Sequence, residues 1–139
     1  MTVEGLSPGD EFNARTFENL RGDDMRLLAA LLADPYPPHF DERRAKELGY
    51  PNLLNQGPAN CSYLLQTVIE KLESPSDLQS FDIRFHDMVF AGETVTATAT
   101  VEETRIEHSE GIVEVSISLE KEDGTVAVDG TATALLPRE

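Results

Sequence analysis

The chain contains one cysteine, Cys61, among its 139 residues, and it contains no tryptophan. A single cysteine excludes an intramolecular disulfide and any metal site built from several thiolates, which fits a reducing compartment. We assign Cys61 to the core. His86 and His108 have no carboxylate or cysteine at the spacing of metal ligands, so we interpret both histidines as structural and expect no metal site.

Positive charge is also scarce. Lysine and arginine total 11 residues, only three of them lysine, against 26 aspartates and glutamates, and the formal net charge is −15. Nucleic acid is therefore excluded as a partner, because phosphate binding needs a basic patch. The acidic residues are spread along the whole chain, which indicates a solvated acidic surface. Such a surface is screened by salt, so we predict a halophilic host.

Long hydrophobic runs are absent as well. No apolar stretch approaches the ~20 residues that a membrane span requires. The segment Met1–Asp10 is acidic and has neither the cationic nor the apolar region of a signal peptide. We expect a soluble cytoplasmic protein without a membrane partner. With 40% hydrophobic residues, the chain is predicted to fold as one domain over residues 1–139.

Local patterns predict one strand and three helices before residue 74. A short strand is expected over Asp10–Phe17, and a helix begins at Asp23 and ends near Asp34, because Pro35 disfavours helical backbone in the preceding residue. A short polar helix is expected from Phe40 to Leu48, and Gly49 closes it. The longest helix begins at Pro58. Two sets of apolar residues at helical spacing support the first and third helices: Met25, Leu28, Leu31 and Leu32, and Cys61, Leu64, Leu65, Val68, Ile69 and Leu72.

The remaining residues predict four strands, because apolar and polar side chains alternate along them. The connections at Ala91-Gly92, Glu110-Gly111 and Asp123-Gly124 are short and contain glycine, which favours antiparallel hairpins in a meander. A long apolar helix followed by such a sheet predicts an α+β fold in which the two bury each other's apolar faces. The predicted strands are Phe81–Val89, Thr94–Ile106, Ile112–Lys121 and Thr125–Leu135.

Four motifs occur together at characteristic separations: Asp34–Asp41, Gly49–Pro51, Gln56–Pro58 and Arg84–Thr94. With these motifs the chain resembles the MaoC-like, (R)-specific enoyl-CoA hydratase and dehydratase family over roughly residues 12–137. The resemblance implies a hotdog fold, in which a curved antiparallel sheet wraps a long central helix, and a dimer or a higher hotdog oligomer. It also implies a coenzyme A or carrier-protein thioester as substrate. No separate cofactor is expected, because coenzyme A is part of the substrate.

By the same resemblance, Asp34 and His39 would hold and activate a water molecule that adds across the 2,3 double bond. The backbone N–H of Gly57 would polarise the thioester carbonyl. Such a set suits the chemistry, because one group must accept a proton from water while a donor stabilises charge on the thioester oxygen. Considered alone, Asp34 could simply be a polar residue at the end of a helix, and His39 could be a structural residue of the turn.

Two residues depart from the family pattern. Tyr36 replaces an asparagine, and Pro38 replaces an aliphatic residue. Tyr36 either lines the pocket or covers the core, and Arg84 either faces solvent or binds the phosphates of coenzyme A. Asn60 and Ser62 lie in the first turns of the long helix, where they cap it or line the pocket. The candidate substrate-binding residues are therefore Tyr36, Gln56, Asn60, Ser62 and Arg84.

Two other functions remain open. A hotdog thioesterase usually has a carboxylate on the early turns of the long helix, where this chain has Asn60, Ser62 and Gln66, so that function is disfavoured. A subunit that binds acyl-CoA without turning it over is the other alternative, and the substitutions at Tyr36 and Pro38 are the features that favour it.

Overall fold

The computed structural model describes all 139 residues. Its helices are α1 (Gly22–Leu31), α2 (Glu42–Glu47) and α3 (Gly57–Ile69), and a 3₁₀ turn covers Pro37–His39. Its strands are β1 (Arg15–Phe17), β2 (Leu78–Phe85), β3 (Val95–Glu107), β4 (Glu110–Lys121) and β5 (Val126–Leu136). None of the helices has the length and apolar character needed to cross a bilayer.

The five strands form one antiparallel sheet in the order β1-β3-β4-β5-β2. The hairpins β3–β4 and β4–β5 are confirmed, although β3–β4 turns at His108-Ser109, both at positive φ, and the predicted turn residues Glu110-Gly111 lie in β4. The meander is wrong for β2, which covers Leu78–Phe85 rather than Phe81–Val89 and pairs with β5 rather than with β3.

The residues after β2 do not fold back on it. Phe90 pairs with Leu54 instead, and Gly92, at φ +88°, donates its N–H to the Leu20 carbonyl. This segment thereby carries the chain from β2, at one edge of the sheet, to β3, beside the strand at the other edge.

Helix α3 packs on the apolar face of this sheet, as its pattern predicts. Leu64 and Val68 are fully buried, and each such side chain stabilises the fold by roughly 1.5–3 kcal/mol. The helix can approach closely because the opposing strand positions include small residues, namely Ala97, Ala99, Ala132 and Ala134. Cys61 is only partly buried, so the prediction that it belongs to the core is wrong. The α+β hotdog fold is confirmed.

Helix α1 buries less of its apolar stripe than its periodicity predicts. Met25 is buried, whereas Leu31 is 73% and Leu32 47% exposed. Helical spacing shows that such residues share a face, but it does not identify what covers that face. Strand β1 is also shorter than predicted, because Glu11 makes only an isolated bridge, to Thr100. Helix α3 begins at Gly57, one residue before the predicted start.

Candidate active site

The turn after α1 presents the Asp34 carboxylate. Ala33 adopts a left-handed conformation, with φ 51°, and the Asp34 N–H donates to the Ala29 carbonyl at 2.9 Å. The helix thus ends one turn before Pro35, which cannot donate a backbone hydrogen bond. One carboxylate oxygen, Oδ1, accepts the backbone N–H of Tyr36 at 3.1 Å. This bond orients the carboxylate and leaves the second oxygen, Oδ2, directed at His39.

His39 is 7% exposed, and both of its ring nitrogens have defined neighbours. Nδ1 lies 2.7 Å from the Leu54 carbonyl oxygen, and Nε2 lies 3.4 Å from Asp34 Oδ2. A carbonyl oxygen only accepts, so Nδ1 carries the hydrogen in this pair. In the neutral imidazole, Nε2 is then a free base beside the Asp34 carboxylate.

The Leu54 carbonyl is held by a short pairing of two extended segments. Phe90 bridges Leu54, and the Asn55 N–H donates to the Val89 carbonyl at 2.8 Å. The Leu54 N–H in turn donates to the Pro38 carbonyl at 2.9 Å. Leu54 therefore contacts the histidine turn through both its backbone groups. Any residue can supply a backbone carbonyl, so the sequence does not identify Leu54 as the acceptor for His39.

Gly57 is the first residue of α3, three positions after Leu54. Its N–H has no hydrogen-bond partner within the protein, as expected for the first turn of a helix. The partial positive charge of the helix N-terminus, about +0.5, lies at this point. A Cβ added to Gly57 would lie 3.5 Å from the Phe85 ring, so the glycine keeps the space beside its N–H open.

Gln56 and Asn60 are buried and bind protein groups. Gln56 is completely buried, and its Nε2 donates to the Met25 carbonyl at 2.8 Å, which ties the start of α3 to α1. The Gln56 Oε1 is buried without a partner. Asn60 Oδ1 accepts from Asn55 Nδ2 at 2.8 Å. Through these contacts both amides order the N-terminus of α3.

The Tyr36 ring packs edge-on against His39, with 5.4 Å between centroids. Its hydroxyl lies 3.2 Å from that of Tyr50, and this hydrogen bond raises the pKa of Tyr36. Tyr36 thus contacts the histidine through its ring and the aspartate through its backbone. The partner hydroxyl of Tyr50 was missed, although Tyr50 lies in one of the motifs.

Ser62 and Arg84 lie apart from this turn. Ser62 lines a groove of about 360 Å³ between α1 and α3, together with apolar residues that include Leu27, Leu31 and Tyr63. Arg84 is exposed in β2, among polar residues of the outer sheet face such as Asp82 and Asp129. Asp34, His39 and the start of α3 are therefore brought together through Leu54, and Arg84 is not part of that group.

A second histidine–carboxylate pair exists elsewhere. His86 Nε2 lies 2.6 Å from Asp129 Oδ1, and both side chains are nearly half exposed. No group of three or more His, Cys, Asp or Glu side chains has a geometry that could hold a metal ion.

The model of the MaoC like domain matches residues 4–123. The chain belongs to the MaoC-like domain family. Among the relatives of this MaoC-like protein, a mitochondrial 3-hydroxyacyl-[acyl-carrier-protein] dehydratase from Solanum lycopersicum is 31% identical over 124 residues, which are 89% of this chain and 73% of the relative.

Solved structures with the same fold include two (R)-hydratases. The unliganded R-hydratase PhaJ1 from Pseudomonas aeruginosa has a TM-score of 0.86 at 21% identity, over 99% of this chain and 86% of that one. The (R)-hydratase from A. caviae involved in PHA biosynthesis has a TM-score of 0.83 at 21% identity, over 96% and 99% of the two chains.

Proposed function

We propose that this MaoC-like protein is a hydratase and dehydratase that adds water reversibly across the 2,3 double bond of an enoyl thioester. The observation that carries the proposal is the imidazole of His39, buried and held at Nδ1, with its free Nε2 3.4 Å from Asp34 Oδ2. Family membership and the names of the relatives support the same reaction.

In the hydration direction, a water molecule bound between Asp34 and His39 loses a proton to His39 Nε2 while its oxygen bonds to C3 of the enoyl group. The electron pair of the double bond moves through C2 towards the thioester oxygen. A proton from the Asp34–His39 pair then adds to C2. The product is a 3-hydroxyacyl thioester, and both side chains return to their starting protonation.

The thioester oxygen needs a hydrogen-bond donor while it carries the developing negative charge. The unpartnered N–H of Gly57 at the start of α3 suits this role, because the helix dipole adds to the stabilisation. Removing one such donor typically lowers kcat by about 10²–10³. Gly57 is therefore the proposed oxyanion donor.

The proposed substrate carrier is coenzyme A, and the acyl group is an enoyl chain. Tyr36 and Ser62 are the proposed contacts for the substrate, since one borders His39 and the other lines the groove beside α3. Gln56 and Asn60 would hold the start of α3, and with it Gly57, in place. Arg84 would bind the coenzyme phosphates at the outer surface of the sheet. The tomato relative is named for an acyl-carrier-protein substrate. A comparison of kcat/KM for crotonyl-CoA and a crotonyl carrier protein tests the choice of carrier.

A homodimer is part of the proposal. Strand β2 pairs with β5 along one edge only, and its other edge is open. Phe81 and Phe85 on this strand are 52% and 55% exposed, which is unfavourable in a monomer. A second copy that covers this edge would bury both rings. Sedimentation equilibrium should give the mass of a dimer, and a monomer at micromolar concentration would contradict this part of the proposal.

The reaction itself is tested with crotonyl-CoA, followed by the absorbance of the conjugated thioester. We expect loss of this absorbance without release of free thiol, and we expect the activity to be lost in Asp34→Asn. Asp129→Asn is the matched control, because it alters the exposed histidine–carboxylate pair. Thiol release with the double bond intact would instead identify a thioesterase. Tight binding of crotonyl-CoA without turnover would identify a non-catalytic subunit.

A further inference from the structure

The Lys121 side chain is the one well-buried cation among the ion pairs. It is 10% exposed, and its Nζ lies 3.2 Å from Asp87 Oδ2 and 3.3 Å from Glu93 Oε2. The other eight ion-paired Lys and Arg side chains are at least 32% exposed. Burying an ammonium group is costly unless carboxylates compensate it, so this cluster constrains its surroundings more than a surface pair does.

Both carboxylates also bind the backbone of the segment that follows β2. Glu93 Oε1 accepts the Phe90 N–H at 2.8 Å, and Asp87 Oδ1 accepts the Met88 N–H at 2.8 Å. Each carboxylate thus gives one oxygen to this segment and the other to Lys121. The Lys121 ammonium also lies 5.6 Å from the centroid of the Phe90 ring, within the range of a cation–π contact. Lys121 ends β4, so the cluster anchors the segment to the rigid sheet.

The anchored segment is the one that aligns Leu54. Phe90 bridges Leu54, the Asn55 N–H donates to the Val89 carbonyl, and the Ala91 N–H donates to the Leu53 carbonyl at 2.9 Å. The Leu54 carbonyl in turn accepts from His39 Nδ1. Ion pairs, hydrogen bonds and the short stretches of backbone between them therefore join Lys121 to the imidazole.

We infer that Lys121, acting through Glu93 and Phe90, is a positioning residue for His39. It holds the Leu54 carbonyl where that oxygen fixes the hydrogen on Nδ1 and leaves Nε2 free beside Asp34. For its effect on turnover the inference rests on the proposed hydration. For its effect on the imidazole it rests on the geometry alone. Misplacing a catalytic group by about 1 Å can lower the rate by 10²-fold.

The test uses two variants that differ in the charges they leave behind. Lys121→Met leaves two carboxylates without their cation. The triple variant Asp87→Asn, Glu93→Gln, Lys121→Met also removes both negative charges, whose side chains are 46% and 32% exposed, so it remains informative if the single variant does not fold. Arg105→Met is the matched control, because Arg105 pairs with Glu114 at 2.8 Å between β3 and β4 and has no contact with the anchored segment.

Two readouts are compared in the folded variants. The kcat for crotonyl-CoA hydration should fall about tenfold or more while KM changes less than about threefold. The ring ¹⁵N spectrum of His39 should show the Nδ1–H tautomer in the parent protein and a mixture of tautomers in both variants. Lys121→Arg should restore the parent spectrum in part, and Arg105→Met should leave kcat and spectrum unchanged.

The spectrum separates this inference from the proposed function. If the parent protein does not hydrate crotonyl-CoA but the tautomer shifts in both variants, the positioning role stands and the proposed reaction fails. If the folded triple variant keeps both the kcat and the His39 tautomer of the parent protein, the positioning role is overturned.

Discussion

The Nδ1 of His39 lies 2.7 Å from the carbonyl oxygen of Leu54, fifteen positions along the chain. This contact makes the buried histidine a base at Nε2 rather than at Nδ1, and Nε2 is the nitrogen beside Asp34. In the proposed reaction, a backbone group thus selects the ring nitrogen that accepts the proton, and the effects of several substitutions follow from that arrangement.

The Tyr36 hydroxyl should be dispensable, whereas its backbone N–H should not. The hydroxyl pairs with Tyr50, and the N–H binds Asp34 Oδ1. Tyr36→Phe should therefore keep kcat/KM within about threefold of the parent protein. Tyr36→Pro suits the backbone at φ −71° but removes the N–H, and it should lower kcat/KM about tenfold or more. Tyr36→Ala, which also loses the ring, is the control for that loss. Equal activity of the Pro and Ala variants would show that the N–H contributes nothing.

Substitution of Gly57 by alanine should separate activity from stability. The added Cβ would make only ordinary contacts with Phe85, and Gly57 does not have a positive φ. The melting temperature should therefore stay within about 2 °C of the parent value. Because the methyl group would occupy the space beside the proposed oxyanion donor, kcat/KM should fall about tenfold or more. Unchanged activity in a stable Gly57→Ala protein would argue against this N–H as the donor.

Salt should stabilise the fold. At a formal net charge of −15, repulsion among acidic side chains opposes the compact state, and molar KCl shortens the Debye length to roughly 3 Å. The melting temperature should rise between low and molar KCl. Glu18, Glu102 and Glu122 are exposed and form no ion pair, so replacing all three by glutamine should reduce the gain. A flat salt dependence in the parent protein would remove the basis for a halophilic host.

Cys61 should react slowly with alkylating reagents. Burial raises the pKa of its thiol above the ordinary value near 9.0, so the thiolate fraction in the folded protein is lower at any given pH. The alkylation rate should therefore reach its half-maximum at higher pH than in the same protein unfolded in urea. The sign follows from burial, since the charged form is the one penalised. A folded-state midpoint at or below the unfolded one would contradict the structure.

The parts of the fold that sequence predicts well are those set by local periodicity. Helix α3 and the strands β3, β4 and β5 follow from apolar spacing, and the β4–β5 hairpin follows from its turn at Asp123-Gly124. The β3–β4 turn does not, because it uses the non-glycine residues His108 and Ser109 at positive φ, directly before the predicted Glu110-Gly111. The position of β2 does not, because pairing with β5 depends on where the whole segment from His86 to Thr94 leads. The exposed leucines of α1 show the same limit, since the spacing of apolar residues is identical in a helix that packs on the core and in one whose apolar face stays exposed.

The candidate site divides in the same way. Asp34, His39 and Gly57 are found through motif resemblance, because their side chains or flexibility are part of the pattern. The Leu54 carbonyl and the Lys121 cluster are not, because a backbone acceptor can be supplied by any residue and a buried ion pair depends on contacts distant in sequence. Lys121 and Glu93 are 28 positions apart, and both reach the same segment only in the folded sheet.

Two histidines of the same chain, His39 and His86, can be compared directly in crotonyl-CoA hydration. His39→Ala removes the proposed base, which is buried, and His86→Ala removes an exposed imidazole that also pairs with an aspartate. We expect kcat/KM to fall by about 10²–10⁴ in His39→Ala and by less than about threefold in His86→Ala. Equal activity of the two folded variants would contradict the assignment of His39 as the catalytic base.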